Sequence, residues 1–164
     1  QAVRLQGIRD SKMLAPRIRQ KLCREITCPA LIGIGVVDVP EIDRLNILRA
    51  SLLAMRKAVL ALPVTPDFIL IDGLFKIDLP IAQMPVVRGD EQLVSVGAAS
   101  IVAKVTRDEM MTGYDQEYPA YGFARHKGYP TEAHFAALEE CGPSPIHRTS
   151  FRPVWRLLSE EYGS

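Results

Sequence analysis

The sequence DFILIDGLFKIDLPIAQMPVVRGD, residues Asp67–Asp90, predicts two short apolar strands that each lead into an aspartate. The strands are Phe68–Ile71 and Pro85–Val87, and the aspartates are Asp72 and Asp90. Such runs are typical of strands buried on both faces in a sheet covered by helices. Ligands of these sheets bind beyond the carboxyl ends of the strands, where two carboxylates can hold a divalent metal. The alternative is that Asp72 only forms a turn and Asp90 only begins a helix.

Length and charge limit the class of protein. The chain has 164 residues, which suits one domain over residues 1–164, and its net charge of +1 implies no strongly basic or acidic partner for the domain as a whole. Positive and negative charges are distributed unevenly along the chain, because residues 1–24 contain seven Arg or Lys side chains and one aspartate. This segment is either a phosphate-facing surface or a solvated helix face.

The cysteines and histidines do not form a metal pattern. Cys23, Cys28 and Cys141 lack a CxxC pair, and the three histidines do not complete a zinc motif with them. We therefore expect reduced thiols in a cytoplasmic protein. No apolar run approaches membrane-spanning length, so no membrane association is expected.

The remaining segments predict an α/β plan with few strands. Ala30–Val39 is β-branched and predicts a strand with two glycines for close backbone approach. A long amphipathic helix follows, with a break near Asn46, and a later helix is expected to stop at Gly113. The aromatic and basic segment Tyr118–Pro130 predicts an irregular loop that either contacts nucleic acid or is held to the core by its rings. The small number of strands suggests further structure before Gln1.

Several motifs, in order along nearly the whole chain, resemble those of bacterial ribonuclease HII, the type 2 ribonucleases H. Each is short, but together they are very specific. They are Asp10-Ser11-Lys12, Glu41-Ile42-Asp43 with Asn46-Ile47, Ile71-Asp72-Gly73, Gly89-Asp90, Ala98–Val105 with Arg107-Asp108, Tyr121-Gly122-Phe123, His126-Lys127-Gly128-Tyr129, and Pro145–Arg148 with Ser150-Phe151.

The resemblance implies a ribonuclease H-like mixed sheet flanked by helices, with a C-terminal helical portion. It implies an endonuclease, expected to be a monomer, that cuts the RNA strand of RNA–DNA hybrids and incises DNA duplexes at single embedded ribonucleotides. In the family, four carboxylates hold two Mg²⁺ or Mn²⁺ ions, and two of these carboxylates map onto Asp72 and Asp90. Tyr129 maps onto the tyrosine that stacks beneath the sugar after the ribonucleotide, and Ser11 and Lys12 onto residues that contact backbone phosphates.

One departure from the family pattern is large. The family begins with a strand that carries an Asp-Glu pair, which supplies the other two metal ligands, and a Gly-Arg-Gly segment that reads the 2′-hydroxyl. Nothing in Gln1–Ile8 matches this motif. We therefore expect an N-terminally truncated ribonuclease HII without that strand and with little activity of its own. The alternative is a non-catalytic nucleic-acid-binding remnant of the same fold.

Overall fold

The computed structural model describes Ile8 and residues 14–162, except for the side chains of residues 160–162. The longer helices are α1 (Pro16–Thr27), α2 (Val39–Leu45), α3 (Ile47–Leu60), α5 (Val94–Glu117), α7 (Glu132–Cys141) and α8 (Arg152–Tyr162). The strands are β1 (Phe68–Asp72) and β2 (Ala82–Val86), and the short helical turns are α4 (Gly89–Gln92), a 3₁₀ turn (Pro119–Tyr121) and α6 (Phe123–His126).

The described residues fall into two compact units. The first extends to Val36 and resumes over Ser51–Thr106, and the second comprises Val37–Ala50 and the residues from Arg107 onward. The single domain expected from chain length stays a prediction. No helix among the described residues is long and apolar enough to cross a membrane.

The first unit contains the parallel strand pair β1–β2, whose register runs from Phe68 opposite Ala82 to Asp72 opposite Val86. The first strand is confirmed, whereas the second begins earlier than predicted and ends at Val86. Ile69 and Ile71 of β1 are buried with Ile77 against apolar residues of α3. The Gln83 side chain fixes the connection between the strands, because it bonds both the amide and the carbonyl of Ile77, at 2.8 and 2.9 Å.

The predicted strand Ala30–Val39 is wrong. Residues 31–38 form no strand, and Val39 already begins α2. High β propensity makes a strand only where a partner completes the ladder, and the described part of the chain offers none to this segment. Close backbone approach at its glycines is confirmed, because a Cβ added to Gly35 would lie 1.9 Å from the carbonyl oxygen of Ala54 in α3.

Two helix boundaries test the sequence predictions further. The break near Asn46 is confirmed: Asn46 has φ 70° and separates α2 from α3. The stop at Gly113 is wrong, because α5 continues to Glu117. The reason is that Tyr114, one residue on, packs against the core of the second unit and favours continuation of the helix over its termination.

The core of the second unit is formed by Met111, Tyr121, Phe123, Leu138 and neighbouring apolar residues of α7 and α8. The prediction of an entirely irregular segment at Tyr118–Pro130 is wrong in part, since it contains the 3₁₀ turn and α6. The prediction that rings hold it to the core is confirmed for Tyr121 and Phe123, which stack at 5.3 Å between centroids.

A carboxylate clamp joins α2 to the turn before α8. Asp43 accepts hydrogen bonds from the amide nitrogens of Thr149 and Ser150, at 2.8 and 3.2 Å. It also accepts bonds from their hydroxyls, at 2.7 and 2.5 Å. Burial raises the pKa of Asp43, but these bonds outweigh that effect and hold the pKa below its ordinary value of 3.8.

Candidate active site

The two strand-end acids lie at the same corner of the first unit. Asp72 is the last residue of β1 and is exposed, whereas Asp90 follows β2 and is only 3% exposed. Asp72 Oδ1 accepts a hydrogen bond of 2.9 Å from the amide nitrogen of Gly89, the residue immediately before Asp90. The parallel pairing of the strands thus places both acids beyond the same sheet edge, as predicted.

The turn between β2 and α4 fixes Asp90. Arg88 takes a left-handed conformation with φ 53° and forms an ion pair with Glu91. Gln92 donates a hydrogen bond of 2.6 Å back to the carbonyl of Val87. A Cβ added to Gly89 would lie 3.2 Å from the Val96 side chain and 3.4 Å from the Val86 Cβ. A side chain at position 89 would therefore require Val96 to move by a few tenths of an ångström.

The donor chemistry of this corner fits part of a divalent metal site. Carboxylate oxygens are the ligands that Mg²⁺ and Mn²⁺ prefer. Asp72 and Asp90 could supply two of them, and the described residues contain no group of three or more carboxylate, histidine or cysteine side chains that could hold a metal ion. The corner is therefore a candidate for part of a metal site. The bond from Gly89 also gives Asp72 a structural role, so its metal-binding and turn-forming interpretations are compatible.

Tyr129 lies in the second unit on a loop with a tightly defined backbone. Tyr129 is 54% exposed, whereas the three residues before it are buried or half-buried. Lys127 and Gly128 are consecutive left-handed residues, with φ of 53° and 76°. Lys127 Nζ donates to the carbonyl of Asp108 and the hydroxyl of Thr112 on α5, at 3.2 and 2.7 Å. These bonds hold a lysine in a conformation that glycine adopts more easily.

All three histidines of the chain form one buried cluster behind this loop. The rings of His126 and His134 stack at 4.4 Å between centroids, with 15° between their planes. His134 Nε2 lies 2.9 Å from His147 Nε2. Burial lowers the pKa of His134, and burial together with the neighbouring His134 lowers the pKa of His147 to about 4. Burial therefore favours the neutral forms of His134 and His147.

Sequence reasoning predicted the two acids and Tyr129 as site residues but did not predict the buried histidine cluster. The only signal was that the chain's three histidines all follow residue 125, without metal-ligand spacing. Ser11 and Lys12 lie outside the described residues. Cys23, Cys28 and Cys141 form no disulfide bond, as predicted.

Comparison with solved structures defines the class of fold. The model matches the crystal structure of ribonuclease H2 from Pyrococcus horikoshii OT3 with a TM-score of 0.71 and 23% identity. The match covers 96% of this chain and 83% of the archaeal one. Together with the acids at the ends of neighbouring parallel strands, it identifies an α/β protein with a ribonuclease H-like fold.

Sequence comparison identifies the family. A family model described as ribonuclease HII matches residues 1–155. The ribonuclease HII of Geobacter sulfurreducens is 53% identical over 157 residues, covering 95% of this chain and 72% of the relative. That of Aliivibrio salmonicida is 51% identical over 158 residues, covering 96% and 76%. The chain belongs to the ribonuclease HII family, the type 2 ribonucleases H, which are endonucleases that depend on divalent metal.

Proposed function

We propose that the function of the family, which this fold and site serve, is cleavage of the RNA strand of RNA–DNA hybrids and incision of DNA duplexes at single ribonucleotides. The reaction is hydrolysis of the phosphodiester on the 5′ side of the ribonucleotide. The observation that carries the proposal is the 2.9 Å bond from the Gly89 amide to Asp72 Oδ1, because it brings Asp90 and Asp72 to one strand-end corner. Family membership supports nucleic acid as the substrate class.

The two acids are proposed as ligands of Mg²⁺ or Mn²⁺. Bound there, a pair of ions supplies stabilisation of charge on the attacking and leaving oxygens of an in-line displacement. Asp90 would hold the ion on the side of the attacking water, and Asp72 the ion on the side of the leaving 3′-oxygen. The bond to Gly89 keeps the Asp72 carboxylate oriented before any ion arrives.

Tyr129 is proposed as the residue that stacks on the sugar following the ribonucleotide. An exposed ring on a fixed backbone presents a flat apolar face at low ordering cost, which suits stacking on a nucleic acid. Ser11 and Lys12 are proposed to contact backbone phosphates, which position a duplex without reading its sequence. The 2′-hydroxyl is the mark that distinguishes the ribonucleotide from its DNA neighbours.

We further propose that this chain alone incises poorly. Two carboxylates leave more ligand positions to water than a pair of ions in a catalytic clamp allows. The second candidate function, duplex binding without chemistry, is favoured by the same observation that the described residues form no cluster of three metal ligands. Duplex binding that falls with salt but is unchanged by a chelator would support this second function.

The test measures Mn²⁺ binding and strand incision separately. Isothermal titration should show weak Mn²⁺ binding that Asp72→Asn abolishes, because the amide retains an acceptor for Gly89 but loses the negative charge. Asp67→Asn, at the exposed residue before β1, is the matched control and should bind as the parent chain does. A duplex with one ribonucleotide should be bound and scarcely cut. Equal Mn²⁺ binding by both variants would refute the metal site, and strong incision would refute the inactivity.

A further inference from the structure

We propose that His147 and His134 are positioning residues that form a directional hydrogen-bond relay to the backbone of Tyr129 and fix its ring for the duplex. This inference rests on the proposed function of Tyr129 and adds two residues to it. The relay lies within the second unit and joins the turn before α8, helix α7 and the Tyr129 loop. Its direction follows from the groups at its two ends.

The first end is a backbone donor. The amide nitrogen of Ser144 donates to His147 Nδ1 at 3.0 Å, and an amide N–H can only donate. His147 Nδ1 must therefore carry its lone pair, and the Ser144 hydroxyl lies 2.8 Å from the same nitrogen. In the neutral ring, the proton of His147 is consequently on Nε2, which faces His134.

The second end is a backbone acceptor. His134 Nδ1 lies 3.0 Å from the carbonyl oxygen of Tyr129, and a carbonyl can only accept. The proton of His134 is therefore on Nδ1, which leaves Nε2 free to accept from His147 Nε2 at 2.9 Å. Both ends require the same polarity, so donation runs from Ser144 through His147 and His134 to Tyr129. A second proton on His134 would place two ring N–H donors against each other at the two Nε2 atoms. A second proton on His147 would place its Nδ1–H against the amide N–H of Ser144.

The other side of the Tyr129 backbone is held by the third histidine. The amide of Tyr129 donates to the carbonyl of His126 at 2.9 Å. The His126 ring is itself fixed, since Nδ1 accepts from the Gly128 amide at 3.2 Å and Nε2 lies 2.6 Å from the Tyr121 carbonyl. The Tyr129 carbonyl also accepts from the Thr131 amide at 2.9 Å. Backbone groups on both sides of Tyr129 are thus fixed by buried partners while its ring faces solvent.

The relay makes a rigid platform from a residue in a loop. A stacking ring contributes most when its backbone is already ordered, because binding then loses less conformational freedom. Loss of the relay should leave the Tyr129 ring in place but loosely held. Because the ring would keep part of its stacking contact, we expect a partial loss, on the order of fivefold in duplex affinity.

The functional test is a double-mutant cycle on the full chain. His147→Leu removes the donor to His134, and Tyr129→Ala removes the ring. The probe is fluorescence anisotropy of a duplex carrying one ribonucleotide, with an all-DNA duplex as control and with chelator present. We expect His147→Leu to weaken ribonucleotide-duplex binding about fivefold when Tyr129 is present and to have no further effect in Tyr129→Ala. His147→Gln, which restores an N–H donor, should recover most of the affinity. Equal losses in both backgrounds would overturn the relay, because they would indicate a general structural defect.

A second measurement judges the relay without any nucleic acid. Long-range nitrogen NMR of the histidine rings near neutral pH should show His147 protonated at Nε2 and His134 at Nδ1. The Tyr129 amide signal should shift, and its hydrogen exchange accelerate, in His147→Leu. The opposite tautomers, or an unchanged Tyr129 amide, would overturn the relay whatever the duplex result. Correct tautomers with no preference for the ribonucleotide duplex in the parent chain would instead overturn the role of Tyr129 in the proposed function.

Discussion

The Asp43 clamp gives the most quantitative prediction for the second unit. Replacing Asp43 by alanine removes four hydrogen bonds to Thr149 and Ser150 at once. A hydrogen bond to a charged group contributes about 1.5–3 kcal/mol, but Asp43 is only half-buried and water can replace part of this. We therefore expect Asp43→Ala to lower the free energy of unfolding by about 2–3 kcal/mol. Asp43→Asn keeps one acceptor oxygen and should cost about half as much.

The assay is urea unfolding followed by fluorescence of Trp155. It is the only tryptophan of the chain and lies on α8, directly after the clamp. Circular dichroism should give the same transition if unfolding is two-state. Asp67→Ala, at an exposed aspartate outside the clamp, is the matched control and should change stability by less than about 0.5 kcal/mol.

The pH dependence provides an independent check of the same clamp. Hydrogen bonds hold the folded pKa of Asp43 below the unfolded value of 3.8. The stabilisation is therefore complete above the unfolded pKa and is lost as the pH falls through the folded pKa. The difference between the parent chain and Asp43→Asn should be largest near neutral pH and should shrink at strongly acidic pH. The role of the clamp would be refuted if Asp43→Ala lowered the free energy of unfolding by less than about 0.5 kcal/mol at neutral pH. It would also be refuted if the difference in stability between the parent chain and Asp43→Asn did not depend on pH.

Two further predictions concern the histidine cluster and the glycines. Burial lowers the pKa of His147 from 6.5 to about 4, so its stabilisation is complete above pH 6.5 and declines as the pH falls toward 4. Urea midpoints should fall across that window, with a smaller slope in His147→Gln; equal slopes would contradict the burial effect. Gly35→Ala would set a Cβ 1.9 Å from the Ala54 oxygen and should cost about 3 kcal/mol. Gly113→Ala, with nothing within 4 Å, should stabilise α5 by about 0.5–1 kcal/mol. If the two glycine substitutions shifted the melting temperature in the same direction, these two predictions would be contradicted.

The parts of the fold that sequence predicted are those decided by neighbouring residues. The apolar run before Asp72 and the break at Asn46 both follow from local chemistry, and both are confirmed. The strand at Ala30–Val39 and the stop at Gly113 are wrong because distant residues determine them. A strand needs a pairing partner, and a helix continues through glycine where the next turn packs on a core.

The same division applies to the candidate site. The positions of Asp72 and Asp90 were predictable because Asp72 ends one strand and Asp90 follows the next, and parallel strands have their carboxyl ends at one edge. The histidine relay was not predictable, because His134 on α7 and His147 in the turn before α8 meet only in the folded chain. The open question about Tyr118–Pro130 is answered for the buried rings, whereas contact of Tyr129 with nucleic acid stays a prediction.

The two consecutive left-handed residues before Tyr129 have a consequence for protein engineering. Because Lys127 and Gly128 both take left-handed backbone conformations, deleting or inserting one residue there would change the direction of the tyrosine ring. The backbone of the loop is also held by His134 of α7, which in turn contacts His147 of the segment after α7. A graft of the loop alone onto another scaffold would therefore lose its geometry, and the smallest transplantable piece includes α7 and the turn that carries His147.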